Sequence, residues 1–143
     1  MNTETPGTTT PAPFETAVQL RWSDEDSYGH VNNVRVLQLM EEARVRALRS
    51  WGAAVERRFP QVVRSLNCDY LRPLHYGEDV RVRVWVRRIG TSSYTLRHEI
   101  SQAGAVCAAG DVLMVQLNEE GTGSHPLSDS RRALFEAAFL PKE

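Results

Sequence analysis

The stretch Val31-Asn32-Asn33-Val34-Arg35-Val36-Leu37-Gln38-Leu39-Met40-Glu41-Glu42-Ala43-Arg44-Val45-Arg46-Ala47-Leu48-Arg49-Ser50-Trp51 decides how the rest of the chain must fold. At 100° per residue, with Met40 as reference, Val36, Leu37, Ala43, Ala47, Leu48 and Trp51 fall on one side. Arg35, Gln38, Glu42, Arg46 and Arg49 fall on the other. Glu42 and Arg46 have the i,i+4 spacing and order that favour an ion pair. Asn32 or Asn33 suits the N-cap, and Gly52 suits the position just past the C-cap. This is the one long helix the pattern predicts.

Most of the remaining patterned sequence reads as strand. Phe14, Thr16, Val18, Leu20 and Trp22 alternate onto one face. Residues 23–29 form a polar turn. Leu66, Cys68 and Tyr70 alternate until Arg72-Pro73 closes the run. Val80, Val82, Val84 and Val86 form the cleanest alternation, with Arg81, Arg83, Trp85 and Arg87 opposite. Residues 90–93 suit a hairpin turn. Tyr94, Leu96, His98 and Ile100 share the next strand face, and residues 102–104 turn again. The run over 105–117 is apolar on both faces and predicts a central, covered strand. Residues 126–140 carry a short helix with Leu134, Phe135, Ala138 and Phe139 as its apolar side. One helix cannot cover both faces of a wide sheet. The economical solution is an α+β fold, a five-stranded antiparallel sheet wrapped around the long helix, with a short C-terminal helix. Such a sheet keeps open edges, and pairing one across a dimer removes it.

At 143 residues the chain has the length of one domain. Residues 14–140 read as that domain and residues 1–13, rich in Thr, Pro and Gly, as a disordered tail. A net charge of -1 argues against bulk electrostatic binding to nucleic acid. No run of about 18 apolar residues spans a membrane, and no signal peptide is visible. Two cysteines, Cys68 and Cys107, support neither a disulfide framework nor a zinc site. A cytoplasmic location is the default expectation. Sixteen of the 17 basic residues are arginine, which genome composition explains better than a ligand does.

The chemistry concentrates in Arg21-Trp22-Ser23-Asp24-Glu25-Asp26-Ser27-Tyr28-Gly29-His30-Val31-Asn32-Asn33. Acidic residues sit on a turn, glycine follows, and the helix opens at once. A carboxylate then lies within reach of unpaired helix N–H groups, which suit a developing oxyanion. No Ser or Cys stands in a nucleophile elbow. A carboxylate is a weak base and needs an activated substrate. A thioester fits, because its thiol leaving group, with a pKa near 8.5, needs little acid assistance.

Asp24 through Asn33, followed by Glu41-Glu42-Ala43-Arg44, resembles the 4-hydroxybenzoyl-CoA thioesterase family of hot-dog proteins. Cys68-Asp69-Tyr70-Leu71-Arg72-Pro73 with Gly77-Glu78 resembles that family's second strand and following turn, and Ile89-Gly90-Thr91-Ser92-Ser93 its next hairpin. The resemblance implies a hot-dog fold and hydrolysis of acyl-CoA to free acid and CoA. It implies Asp26 as nucleophile or general base, and a substrate carbonyl held by backbone N–H near Val31 to Asn33. The substrate-binding run it implies is Gly29, His30, Val31, Asn32 and Asn33. It further implies a homodimer, with a homotetramer as the alternative, and active sites at the subunit interface. No cofactor and no metal is expected; CoA enters as part of the substrate. Family members acting on aromatic substrates carry aromatic residues where Asn32 and Asn33 stand, so an aliphatic acyl group is favoured.

Bland readings compete at several positions. Asp24 is mostly a turn residue. His30 reads as a local hydrogen-bonding group, and Asn32 and Asn33 equally as caps. A calcium loop fails at Tyr28 and Arg35, where oxygen ligands are required. Glu41 is a rival carboxylate, because other hot-dog thioesterases carry theirs on the helix. Ser92 and Ser93 fit a hairpin role, and Arg64, Arg72, Arg87 and Arg88 fit a solvated face as well as CoA phosphates. A non-catalytic binder of acyl-CoA or acyl-carrier-protein thioesters is the alternative function. A hot-dog dehydratase is disfavoured by the lack of an Asn-Pro between Asp26 and His30.

Overall fold

The computed structural model describes residues 12–53 and 58–140. The tail expected over residues 1–13 lies almost wholly outside them. In chain order the elements are β1 (Phe14–Val18), a 3₁₀ turn (Trp22–Asp24), α1 (Asn33–Ser50), β2 (Gln61–Leu66), β3 (Asp69–Tyr70), β4 (Val80–Ile89), β5 (Ser93–Gln102), β6 (Ala105–Gln116) and α2 (Asp129–Ala137). The sheet runs β1-β4-β5-β6-β2, with β3 also pairing β6, and every pairing is antiparallel.

The alternating valines of β4 make the core. Val80, Val82, Val84 and Val86 are fully buried, as are Tyr94, Leu96, His98 and Ile100 on the same face of β5. Met40, Ala43 and Ala47 of α1 meet them from above, also sealed from solvent. Each valine contributes about 1.5–3 kcal/mol relative to exposure. Small residues at Ala43 and Ala47 let the helix axis sit close to the sheet. Glu42 and Arg46 pair at 2.8 Å on the solvent side. On α2, Phe135 stacks on Tyr94 at 4.2 Å between ring centres.

Four expectations change. The sheet has six strands: the single strand expected over residues 66–70 is broken at Asn67 and Cys68 into β3 and the end of β2, and β2 reaches back to Gln61, where no strand was expected. Asn67 crosses tight over Gly110, where a Cβ would stand 2.1 Å from the Asn67 carbonyl oxygen. Pairing therefore stops where Leu66 faces Val112 and resumes where Asp69 faces Ala109. Second, β1 ends at Val18, and Trp22 is 76% exposed in the 3₁₀ turn. Asp24 accepts the Arg21 N–H at 2.9 Å, and that local bond outcompetes strand pairing. Third, α1 starts at Asn33, with Asn32 as N-cap accepting the Val34 N–H at 2.8 Å. Fourth, β6 is internal, but its outward residues Asp111, Leu113 and Val115 are only half-buried. No helix among the described residues is long and apolar enough to cross a membrane.

Candidate active site

Segment 24–33 is a closed loop. Asn32 N–H donates to Asp24 O at 2.9 Å and Asp26 N–H to His30 O at 2.8 Å. Inside it, Gly29 N–H donates to Asp26 O at 3.1 Å, and Asp26 Oδ1 accepts the Tyr28 N–H at 2.9 Å. Gly29 takes φ 79°, the left-handed region where glycine carries no Cβ penalty. Asp24 is buried, with Arg21 at 3.5 Å and Arg35 at 3.9 Å from its carboxylate. It is a structural anchor. Asp26 is half-buried and free of such partners among the described residues.

The amides at the mouth of α1 separate into committed and open donors. Val31 N–H donates to Leu74 O at 2.8 Å, Asn32 N–H is held by Asp24, and Val34 N–H by the Asn32 cap. The Asn33 N–H has no partner among the described residues. Of the three amides expected to hold a carbonyl, the fold leaves Asn33 open and commits Val31 and Asn32 to structure.

Asn33 is one of the residues lining a cleft of about 290 Å³. Its exposed rim is His30, Asn33, Tyr70 and Arg72; its buried floor is Val31, Val36, Leu74, Cys107 and Ala108. Tyr70 Oη donates to Asn33 O at 3.0 Å and ties β3 to the start of the helix. Partial burial raises the Tyr70 hydroxyl and the nearby Cys68 thiol above their usual ranges, so both stay protonated at neutral pH. Asp26, Gly29 and Asn32 do not line this cleft in the single chain. Glu41 lies elsewhere, exposed and 3.7 Å from Arg44, beside grooves between α1 and β2. Ser92 and Ser93 serve the hairpin, where Gly90 N–H meets Ser93 O at 2.7 Å.

Sequence reasoning missed Tyr70, left Arg72 between a solvated face and CoA phosphates, and missed Cys107 as a cleft residue. The signal for the first two was the run from Cys68 to Pro73, but nothing in it says that β3 folds against Asn33. It also missed the buried Arg44 of α1, whose acidity burial increases and Glu41 partly offsets.

The family model of the Thioesterase-like superfamily matches residues 20–141. The chain belongs to that superfamily. This hot-dog chain is similar to YsmA, an uncharacterized protein of Bacillus subtilis strain 168, with 36% identity over 110 residues, 75% of this chain and 74% of YsmA. Among solved structures it is similar to a predicted thioesterase from Bacillus stearothermophilus, at 30% identity and TM-score 0.85, covering 92% of this chain and 100% of that one. It is also similar to a thioesterase from Thermus thermophilus complexed with coenzyme A and Zn, at 32% identity and TM-score 0.74, covering 87% of this chain and 92% of that one.

Proposed function

We propose that this superfamily member hydrolyses acyl-CoA thioesters, with an aliphatic acyl group, to the free acid and CoA, in the manner of the 4-hydroxybenzoyl-CoA thioesterase branch. The observation that carries the reading is the unpaired N–H of Asn33, a residue that lines the cleft, seven residues after Asp26. That donor, at the positive end of α1, suits the oxyanion formed when the thioester carbonyl is attacked. Asp26 either attacks the carbonyl itself or takes a proton from the attacking water. The tetrahedral oxygen then re-forms a carbonyl and CoA leaves as thiolate; the water route gives the free acid at once, whereas direct attack leaves an Asp26–acyl anhydride that a water molecule hydrolyses to the acid and free Asp26. His30 and Val31 wall the acyl carbonyl, while Gly29 and Asn32 shape the backbone around it.

The reading includes a second copy of the chain. Among the described residues the outer edge of β2 is unpaired, and Val62, Val63 and Leu66 on its two faces are 41%, 42% and 49% exposed. A partner strand there would cover them and add a wall to the cleft beside Tyr70 and Leu71, so that Asp26 enters a site completed between subunits. A dimer is the minimum assembly, and a cytoplasmic location suits free CoA esters. A non-catalytic thioester binder is the competing reading, and Asp26's absence from the single-chain cleft favours it.

Purified protein should release thiol from a chain-length panel of acyl-CoAs in a chromogenic assay. Asn33→Pro tests the oxyanion donor directly. Proline removes this N–H yet suits the first helical position, and Asn32, at φ -59° and ψ 140°, already has the backbone a pre-proline residue needs. We expect kcat to fall about 10²–10³-fold with the helix content kept. Tight binding of acyl-CoA without turnover by the wild type would establish the binder instead.

A further inference from the structure

Gln102 lies well outside the cleft, at the last residue of β5, and its side-chain amide is spent on one distant loop. Its Nε2 donates to His75 O at 2.7 Å and to Glu78 O at 2.9 Å, and its Oε1 accepts the His75 N–H at 3.0 Å. The amide thus meets His75 as a neighbouring strand would, with one donor and one acceptor. The platform is stiff: Gln102 pairs with Ala105 across a two-residue turn, Ala103 at φ 52° and Gly104 at φ 80°.

The loop that Gln102 holds is in turn bonded to the Asp26 loop at three points. Leu74 O accepts the Val31 N–H at 2.8 Å. Tyr76 N–H donates to Glu25 Oε2 at 2.9 Å. His75 Nδ1 donates to Gly29 O at 3.2 Å, which fixes the tautomer with its proton on Nδ1. The His75 ring also meets His30 edge to face at 5.2 Å, and His30 is on the cleft rim. These contacts fall on both sides of Asp26 and Tyr28, on residues 25, 29, 30 and 31. They leave the Asp26 carboxylate itself untouched.

We propose that Gln102 is a positioning residue: through His75 it fixes the loop that carries Asp26, and so sets where that carboxylate stands relative to the Asn33 amide. The catalytic consequence rests on the thioesterase reading, while the brace itself does not. Rate follows such placement steeply, since a misplacement of about 1 Å can cost 10²-fold.

Gln102→Met keeps the length of the side chain and deletes all three hydrogen bonds. Hydrogen exchange should quicken at Gly29 and Val31 while residues 40–47 of α1 stay protected. On acyl-CoA, kcat should fall about 10-fold, with KM within about twofold of wild type. On an Asp26→Asn background the same change should cost nothing further, because there is no longer a carboxylate to misplace. Gln102→Glu keeps the bond from His75 N–H but turns a carboxylate on two carbonyl oxygens, and should move both readouts the same way if the Met variant folds poorly. Unchanged exchange at residues 25–31, or an equal kcat loss with and without Asp26, would overturn the proposal. A wild type that hydrolyses no acyl-CoA sinks the thioesterase reading instead, and the exchange comparison then decides the brace alone.

Discussion

Asp26→Asn is expected to lower kcat/KM on acyl-CoA by about 10²–10⁴-fold, the range a positioned general base supplies, or about 3–5 kcal/mol of transition-state stabilisation. A loss at or beyond the upper end favours direct attack on the carbonyl, because removing a nucleophile abolishes the chemical step. The substitution is a clean one. Asn retains Oδ1, so the bond from the Tyr28 N–H that shapes the turn survives. The backbone bonds of Asp26 to Gly29 and His30 do not involve the side chain at all. Thermal unfolding should therefore match wild type while thiol release collapses. Full turnover by Asp26→Asn removes Asp26 from the chemistry.

The second large effect is acid destabilisation through His98. Its ring is fully buried beneath α1, and neither nitrogen has a hydrogen-bond partner among the described residues. Burial, with the positive charge of Arg44 nearby, pulls its pKa down to about 3; polar contacts with the Gly110 and Leu96 backbones, short of hydrogen-bond geometry, oppose this, and Arg97 adds a smaller push downward. In the unfolded chain the imidazole titrates near 6.5. Below that pH the unfolded state takes up a proton that the folded state refuses until about pH 3. Stability thus falls with pH across this window, by about 1.4 kcal/mol per unit and about 2–3 kcal/mol by pH 4.5. His98→Leu fills much of the same volume without a titrating ring. Denaturant unfolding of this variant from pH 7.5 to 4 should show a flatter decline than wild type, with little loss at pH 7.5. Parallel declines in the two proteins would mean that His98 carries none of the acid sensitivity.

Strand and helix identities were legible wherever one face is fully buried. Val80 to Val86 and Tyr94 to Ile100 read directly as strand faces because alternation and complete burial are the same constraint seen twice. Trp22 misled for the opposite reason: its alternation continues that of β1, but the local bonds between Arg21 and Asp24 turn the chain away. The two-residue strand β3 carries no periodicity of its own and exists only because β6 offers Ala108 and Ala109 to pair with.

The site divides in the same way. The superfamily pattern, the carboxylate on a glycine turn and the helix that opens behind it were all readable from the chain alone, because these are local properties of residues 24–33. Which amide of that helix stays open was settled by folding. Val31 is silenced by Leu74 and Tyr70 grips the Asn33 carbonyl, both from segments far along the chain. The identity of a hydrogen bond's partner is a property of three-dimensional proximity, and no spacing within a single run of residues encodes it.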